Sequence, residues 1–416
     1  MKYVIIGNSI AATNAIKSIR EFDKENKIIL ISDEEYINYS RPLISYLLAK
    51  KITKEKINYL STDFYEKNKV DLILKKKAVK ILINEKSILL NDNTKINYDK
   101  LLLTTGGTPI IPQIKGINTN GIFNFTKISD VEKIEKYIKE NNVKKVSVIG
   151  AGLIGLKATE ALLELKLKVT IIELSDRILA STLDKKASAI FENELRKNGC
   201  EIITNTTVKE IITENNKVKE LSLINGTRKK TDMIIIAIGV KPNIELVKET
   251  EIKINRGILV NSKMETNIEN IYAAGDCAEP TIAIWPVAAQ QGKIAGYNII
   301  GQNREIKNIV PMNSVELCGI PSISAGNTVP NNSDCEILVL YNEEKKIYKK
   351  IIIQNNRIIG FIMIGNISRA GIYTMLITDK ININEFKDSL LNENFGLINL
   401  PKEFRKHLVT GAGIEV

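Results

Sequence analysis

The strongest constraint on the fold of this chain is a glycine-rich turn at residue 150. An apolar run over residues 145–149 leads into a GxGxxG pattern, and a helical pattern follows to about Leu165. The members of the turn are Gly150, Gly152, Leu153, Ile154 and Gly155. A second apolar run then ends at the acid Glu173. This order of strand, tight turn, helix, strand and acid predicts a parallel βαβ unit whose helix N-terminus binds a pyrophosphate.

A looser copy of the same pattern opens the chain. Residues 2–6 form an apolar run, a helical pattern extends to about Glu21, and a second apolar run ends at Asp33. The turn contains Gly7, Ser9, Ile10, Ala11 and Ala12. Small residues are needed there because the turn is tight, the pyrophosphate approaches the backbone, and the helix packs closely on the strand. Asp33 is the candidate ribose-binding acid of this unit.

Three further segments place small or polar residues at the ends of buried strands, at residues 98–109, 232–243 and 271–277. Those residues are Thr105, Gly106, Gly239, Gly275 and Asp276. We expect the last of these strands to run into a helix that continues past Trp285.

The composition limits the chemistry that side chains can perform alone. The chain has one histidine, His407, and four cysteines without a CxxC pair. Zinc sites of the Cys/His type and Ser-His-Asp or Cys-His catalysis are therefore nearly excluded, and no metal site is expected. The chemistry must come from a bound cofactor.

The net charge of +11 gives little support to nucleic-acid binding, because lysines alternate with glutamates as on solvated helix faces. We expect no nucleic acid, and the sign of the charge favours a small acidic protein partner. No apolar run approaches the roughly 20 residues of a membrane helix. The sequence therefore predicts no membrane association and a cytoplasmic location.

These motifs together resemble the two-dinucleotide flavoprotein family, the FAD- and NAD-dependent pyridine nucleotide-disulfide oxidoreductases. The resemblance covers roughly residues 1–320 and includes TTGG at 104–107, AIGxxPN at 237–243 and YAAGD at 272–276. It implies that the first turn holds FAD, that the second holds the nicotinamide nucleotide, and that Asp276 binds the ribityl chain. Further cofactor contacts are expected at Arg41, Pro42, Val79, Thr105, Gly106, Gly239, Gly275 and Trp285.

The cysteine-dependent branches of that family find no support in the sequence. Residues 38–46, where the peroxidase and coenzyme A disulfide branch carries its redox cysteine, contain none. Cys277 follows Asp276 and is expected to be a small core residue. Residues 39–49 instead resemble the flavin-lining segment of NADH–rubredoxin reductases and of assimilatory nitrite reductases. Arg41 in that segment is a candidate contact to the flavin or its pyrophosphate.

Two positions bear on how the nicotinamide nucleotide is held. Relatives usually carry Glu two residues after the last glycine of the turn, paired with a Lys in the segment after Arg-Pro; here these positions are Lys157 and Tyr46. The resemblance implies an altered pocket in which Lys157 approaches the junction of nicotinamide and flavin. Glu173 favours NADH over NADPH, because a carboxylate binds ribose hydroxyls and repels a 2′-phosphate, although Arg177 lies nearby.

The order of the motifs predicts an α/β fold with two Rossmann-like dinucleotide-binding domains and a small α+β C-terminal domain. The FAD domain is split into residues 1–112 and 245–318, with the NAD-binding domain at residues 113–244 between them. Residues 319–416 form the third domain, for interface or acceptor docking. Its strands are expected at residues 336–341, 346–353 and 357–365, with a helical stretch from about Ile383.

The function predicted from these features is a FAD-dependent NADH:acceptor oxidoreductase that passes electrons to a rubredoxin- or ferredoxin-like carrier. One alternative is an NADH oxidase or a reductase of a small acceptor such as nitrite. Another is a flavin subunit of a larger iron–sulfur electron-transfer complex. The oligomeric state stays open, with a homodimer as one arrangement.

Overall fold

The computed structural model of the chain describes residues 1–307, 309–330 and 334–401. The chain divides into two compact units, residues 1–172 with 206–309, and residues 173–205 with the chain from Val310 onward. The three-domain boundaries given above stay a prediction, and His407 lies outside the described residues.

The helices after the two glycine turns end within one residue of the predicted positions. In chain order the α-helices are α1 (Ile10–Phe22), α2 (Ile44–Leu48), α3 (Phe64–Lys67), α4 (Ile128–Asn141), α5 (Leu153–Glu164), α6 (Lys185–Lys197), α7 (Trp285–Ile299) and α8 (Ala370–Thr378). Short 3-10 turns lie at Arg41–Leu43, Lys54–Ile57, Glu245–Val247, Lys387–Ser389 and Leu397–Asn399.

The first unit contains two parallel sheets, one for each glycine turn. In spatial order, the first consists of Ile271–Ala273, Lys100–Leu103, Lys2–Ile6, Lys27–Ile31 and Val70–Ile73. The second has, in this unit, Lys168–Ile172, Lys145–Ile149, Met233–Ile236 and Ile122–Asn124. Parallel sheets carry such apolar strands because both of their faces are covered.

The strand Lys2–Ile6 shows this two-sided burial directly. Tyr3 and Ile5 pack into one apolar cluster with α1 and α7. Val4 and Ile6 pack into a second cluster on the other face. Packing on both faces therefore fixes the position of this strand and of the first glycine turn that follows it.

Smaller sheets complete the first unit. The antiparallel ones are Ala78–Leu82 with Ser87–Leu90 and Lys95–Asn97, Val208–Glu214 with Lys217–Leu223 and Arg228–Lys230, and Gly107–Pro109 with Val240–Pro242. A short parallel pair is Ile258–Leu259 with Ala278–Glu279.

The helices α1 and α7 cross at very short distance. A Cβ at Gly292 would lie 2.0 Å from the Ala11 carbonyl oxygen, and one at Gly296 would lie 2.5 Å from that of Ala15. Only glycine fits at both positions, so α7 is held firmly beside the first turn.

The second unit has an antiparallel sheet, whose strands follow the predicted alternation. In spatial order they are Met312–Leu317, Ile320–Gly326, Arg357–Ile364, Ile347–Gln354 and Glu336–Asn342. The unit also contains α6, the strand Glu201–Ile203, and α8. Asp184 caps α6 by accepting a hydrogen bond from the Ala187 N–H (3.0 Å). It also accepts a hydrogen bond from the Tyr348 hydroxyl (2.6 Å) and forms an ion pair with Lys350 (2.9 Å).

The predicted helical stretch from Ile383 is wrong. After α8 the described chain has only 3-10 turns, at Lys387–Ser389 and Leu397–Asn399. Ile383, Phe386 and Leu390 do enter the core, which explains the helix-like spacing. Asparagine side chains compete locally with helical hydrogen bonds, as where the Asn382 side chain accepts from the Asn384 N–H.

The prediction that the strand near residue 271 runs straight into a helix is also wrong. The strand ends at Ala273, and α7 begins only at Trp285, with the short strand Ala278–Glu279 between them. Pro280 cannot donate to a helix, whereas Pro286 is suited to the first turn of one.

We expect the stability of the protein to depend on the charge of Lys349. Burial, with a smaller effect of Arg369, lowers the pKa of this ammonium to about 8. The unfolded chain keeps the proton to higher pH, so the free energy of unfolding should rise with pH between about 8 and 10 through this group. Urea unfolding of the native chain and of Lys349→Met at pH 7 to 9.5 measures the effect as a difference between the two proteins. A difference that does not change with pH would contradict the assignment.

Candidate functional site

The first glycine turn leaves backbone donors open at the start of α1. Gly7 has φ +106°, and a Cβ there would lie 2.1 Å from the Thr104 carbonyl oxygen. Ser9 is the N-cap of α1, but its side chain makes no capping hydrogen bond. The N–H groups at Ile10, Ala11 and Ala12 therefore form a helix N-terminus suited to an anion.

The second turn has the same geometry, with all three glycines. Gly150 has φ +101°, and a Cβ there would lie 2.4 Å from the Ala237 carbonyl oxygen; a Cβ on Gly155 would lie 2.1 Å from that of Gly150. Gly152, the N-cap of α5, would place a Cβ in open space. Leu153 and Ile154 begin α5 and are partly exposed. The open side at Gly152 is where a pyrophosphate can approach the backbone.

The two segments of small residues that follow the buried strands Lys100–Leu103 and Met233–Ile236 pair with each other. Gly107–Pro109 and Val240–Pro242 form an antiparallel ladder, and the Thr105 hydroxyl donates to the Asn243 carbonyl (2.7 Å). Gly106 and Gly239 both have positive φ, at +68° and +115°. The two nucleotide-binding halves are thus joined at the ends of their central strands.

Arg41 and Asp276, predicted as flavin contacts, lie close enough to interact electrostatically. Burial raises the pKa of the Asp276 carboxyl, and the positive charge of Arg41 partly offsets this rise. The Asp276 oxygens have no hydrogen-bond partner among the residues that the structure describes. Next to it, Gly275 has φ +81° and its N–H donates to the buried Gln291 side chain (2.8 Å).

An aromatic and polar group lines the region between α1 and the start of α7. The Trp285 and Tyr59 rings meet edge to face with centroids 5.2 Å apart, and the Tyr59 and Thr13 hydroxyls are 2.8 Å apart. The Trp285 Nε1 and the Asn8 Nδ2 are buried without a partner in the described part of the chain. Asn8 uses its oxygen to accept from the Tyr65 hydroxyl (2.5 Å).

The structure brings Lys157 and Tyr46 into contact, and the predicted approach of Lys157 to the junction of nicotinamide and flavin stays a prediction. The Lys157 ammonium lies over the Tyr46 ring, 4.8 Å from its centroid, and forms an ion pair with Glu160. The Lys157 side chain is only 16% exposed. Lys51, just after α2, forms an ion pair with Glu164 at the end of α5, at 2.7 Å.

Glu173 and Arg177 lie in the second unit. The Glu173 carboxylate accepts from the Ser175 N–H (2.7 Å). Arg177 donates to the carbonyls of Leu183 and Ala180, both at 3.1 Å, and pairs with Asp176 at 2.6 Å. The guanidinium of Arg177 is thus held within its own loop.

Three residues that were predicted to bind a cofactor lie at exposed or peripheral positions of the first unit. Asp33 is 55% exposed and faces Lys127 at 3.5 Å. Val79 is 46% exposed at a register shift of the strand Ala78–Leu82. Pro42 lies within the 3-10 turn Arg41–Leu43 that precedes α2.

The sequence motifs gave no indication that Glu34, Tyr59 and Asn8 line the site. Three acids in a row follow the strand Lys27–Ile31, and no sequence pattern tells which of them turns inward. Tyr59 belongs to no motif that we used, and Asn8 stands at the variable second position of the first turn, where the motif specifies no residue type.

The residues present fit both dinucleotides. At the first turn, an uncapped helix N-terminus lies in the same unit as a partly buried carboxylate and two buried nitrogen donors without partners in the described part of the chain, which suits phosphates, ribityl hydroxyls and a flavin edge. At the second turn, the open face of Gly152 suits a second pyrophosphate.

Cys277, the cysteine of the first unit, does not have the properties of a redox thiol. Cys277 is buried, its thiol donates to the Leu103 carbonyl (3.4 Å), and burial raises its pKa. Cys200 is buried, and Cys318 and Cys335 lie in the second unit. Reactive cysteines need the opposite conditions, a lowered pKa and access to solvent.

Fold and site together define a protein with two dinucleotide-binding turns in one unit. The chain belongs to the pyridine nucleotide-disulphide oxidoreductase family, whose model matches residues 1–292. The rubredoxin NAD+ reductase C-terminal domain matches residues 311–381. The cofactors of this family, FAD and NAD(H), are those predicted above.

Relatives and solved structures agree with this assignment. The chain is 30% identical to an NADH-rubredoxin oxidoreductase of Clostridium acetobutylicum, covering 88% of this chain and 92% of that protein. It is 30% identical to a nitrite reductase [NAD(P)H] of Bacillus subtilis over 92% of this chain, but spans only 48% of that protein. A NAD-dependent persulfide reductase from A. fulgidus superimposes with a TM-score of 0.85 at 27% identity, covering 93% of this chain and 78% of that one. Among the helices of the described ranges, none is long and apolar enough to span a membrane.

Proposed function

We propose that the chain is an NADH:acceptor oxidoreductase that uses FAD to pass electrons to a small acidic carrier of the rubredoxin or ferredoxin type. The observation that carries this proposal is the pair of dinucleotide turns in one unit, with no cysteine in residues 38–46. FAD, when bound, supplies hydride acceptance from NADH and outward electron transfer. A one-electron protein acceptor needs no general-acid histidine, which agrees with the composition.

The residues of the first unit would hold and orient the two cofactors. The first turn, Asp276, Arg41 and Trp285 would bind FAD, and the second turn would bind the pyrophosphate of NADH. Catalysis would come mostly from positioning, since two stacked rings no longer lose the entropy of a bimolecular encounter.

NADH is favoured over NADPH by the partners of Arg177. Its guanidinium donates to two backbone carbonyls and pairs with Asp176, so its charge is compensated locally. Glu173 adds a carboxylate that repels a 2′-phosphate.

We expect Lys157 to assist NADH binding and the reduction of the flavin by NADH. Lys157→Ala should raise the Kd for NADH and slow anaerobic flavin reduction by roughly tenfold, because a mostly buried positive charge is lost from α5, the helix that follows the second glycine turn. Lys157→Arg should retain most of the rate. Stopped-flow reduction, followed by the visible flavin bands, measures both effects.

The matched control is Lys51→Ala, which removes the neighbouring ion pair with Glu164. It should leave NADH binding and flavin reduction near the wild-type values. Equal effects of the Lys51 and Lys157 replacements would show that only helix contacts matter, against the proposed role.

The carrier is tested by mixing the NADH-reduced protein with rubredoxin, ferredoxin, oxygen or nitrite. The proposal expects the fastest reoxidation by an acidic carrier, with a rate that falls as ionic strength rises from about 0.05 to 0.5 M, because opposite charges steer the encounter. Faster reoxidation by oxygen or nitrite than by either carrier would replace this proposal with the small-acceptor alternative.

A second candidate is a flavin subunit of a larger electron-transfer assembly. It is favoured by the match to only about half of the Bacillus subtilis nitrite reductase. Weak activity alone that rises strongly with an iron–sulfur partner would support it.

A further inference from the structure

Three consecutive acids follow the second strand of the first sheet, and one of them turns inward. The side chains of Asp33 and Glu35 are 55% and 46% exposed, whereas that of Glu34 is 13% exposed. A carboxylate with so little access to water is costly unless it is paired.

Glu34 is paired on both of its oxygens. Its Oε1 accepts from Arg41 Nη2 at 2.6 Å, and its Oε2 accepts from the Tyr39 hydroxyl at 2.6 Å. Arg41 lies over the Tyr39 ring, 5.4 Å from its centroid, and its Nη1 donates to the Thr126 carbonyl at 3.0 Å. Lys127 adds a further positive charge 3.8 Å from Glu34. Arg41 is therefore held from three sides.

The contacts that hold Arg41 also decide whether it can pair directly with Asp276. Arg41 interacts electrostatically with Asp276, whose oxygens have no hydrogen-bond partner among the described residues. After Glu34, Asp276 is the carboxylate that acts most on the charge of Arg41, so without Glu34 it is the one that would attract Arg41. A direct Arg41–Asp276 pair would occupy the oxygens that a ribityl chain needs.

We propose that Glu34 is a positioning residue that holds Arg41 away from a direct pair with Asp276 and so keeps that carboxylate available to FAD. Glu34 acts through Arg41 and does not itself contact the cofactor. This inference rests on the proposed function, because it assumes that FAD binds at Asp276.

The test measures FAD binding by the apoprotein, through the quenching of flavin fluorescence, for the native chain and for variants of Glu34 and Arg41. Glu34→Gln should raise the Kd for FAD about tenfold or more, and Glu34→Asp should recover part of it. In an Arg41→Gln background, Glu34→Gln should add little, because the competing cation is gone. Glu35→Gln is the matched control, since Glu35 pairs at the surface with Lys75, and it should bind FAD as the native chain does.

Each outcome bears on the inference. Native FAD affinity in Glu34→Gln, or fully additive effects of the Glu34 and Arg41 replacements, would overturn it. If Glu34→Gln does not fold, Glu34→Asp with and without Arg41→Gln provides the same comparison. Failure of the native apoprotein to bind FAD would instead overturn the proposed function, before the variants are compared.

Discussion

Replacing Gly152 with alanine should abolish tight NADH binding while leaving the fold intact. Gly152 has an ordinary φ of −76°, and an added Cβ would meet no atom within 4 Å, so the protein itself accommodates alanine. The methyl group would stand where a pyrophosphate approaches the backbone at the start of α5. We expect the Kd for NADH to rise tenfold or more, about 1.4 kcal/mol or more, with an unchanged unfolding temperature.

Two other glycines make this prediction specific. Gly371→Ala, at another glycine with open space around its Cβ, should change neither NADH binding nor stability. Gly150→Ala should destabilise the folded protein, because the φ of Gly150 is +101° and the added Cβ would lie 2.4 Å from the Ala237 carbonyl oxygen. Native NADH affinity in a folded Gly152→Ala protein would place the nucleotide elsewhere.

Replacing Asp276 with alanine should separate FAD binding from stability. Its partly buried carboxylate has a raised pKa and no hydrogen-bond partner in the described ranges, so its removal relieves a desolvation cost in the apoprotein. With FAD, the same change removes charge-assisted hydrogen bonds worth about 1.5–3 kcal/mol. We expect the Kd for FAD to rise roughly ten- to a hundredfold, while the unfolding temperature of the apoprotein holds or rises.

Glu279→Gln provides the contrast for Asp276. Glu279 lies three residues on and accepts from the Gly257 N–H (2.8 Å) and from Asn255 (3.0 Å), which is a structural role. Its replacement should lower stability and leave FAD affinity unchanged. Parallel losses of stability and affinity in both variants would show that Asp276 is structural too.

The fold of the nucleotide-binding halves could be predicted from the sequence because each element is coded locally. Gly7 and Gly150 stand where only glycine fits, and the strands beside them are continuously apolar, so turn and strand are visible in the sequence. The region after α8 could not be predicted. There Ile383 and Phe386 enter the core at helix-like spacing, but local side-chain hydrogen bonds replace the helix.

Sequence motifs mark candidate site residues one position at a time, whereas the burial of a side chain depends on its partners in the fold. Asp276 and Lys157 were candidates because of their motif positions, whereas the contact of Lys157 with Tyr46 is visible only in the structure. Glu34 was not, because its burial results from partners such as Arg41 at a distance along the chain. Which of three neighbouring acids is buried is a tertiary property.

The most direct test of the account is an anaerobic titration of the purified protein with NADH and, separately, with NADPH, followed by the visible flavin bands. The account predicts one FAD per chain, bleached by one equivalent of NADH, with NADPH much less effective. A protein that stays colourless after FAD is added, or a bound flavin that NADH does not reduce, would contradict it.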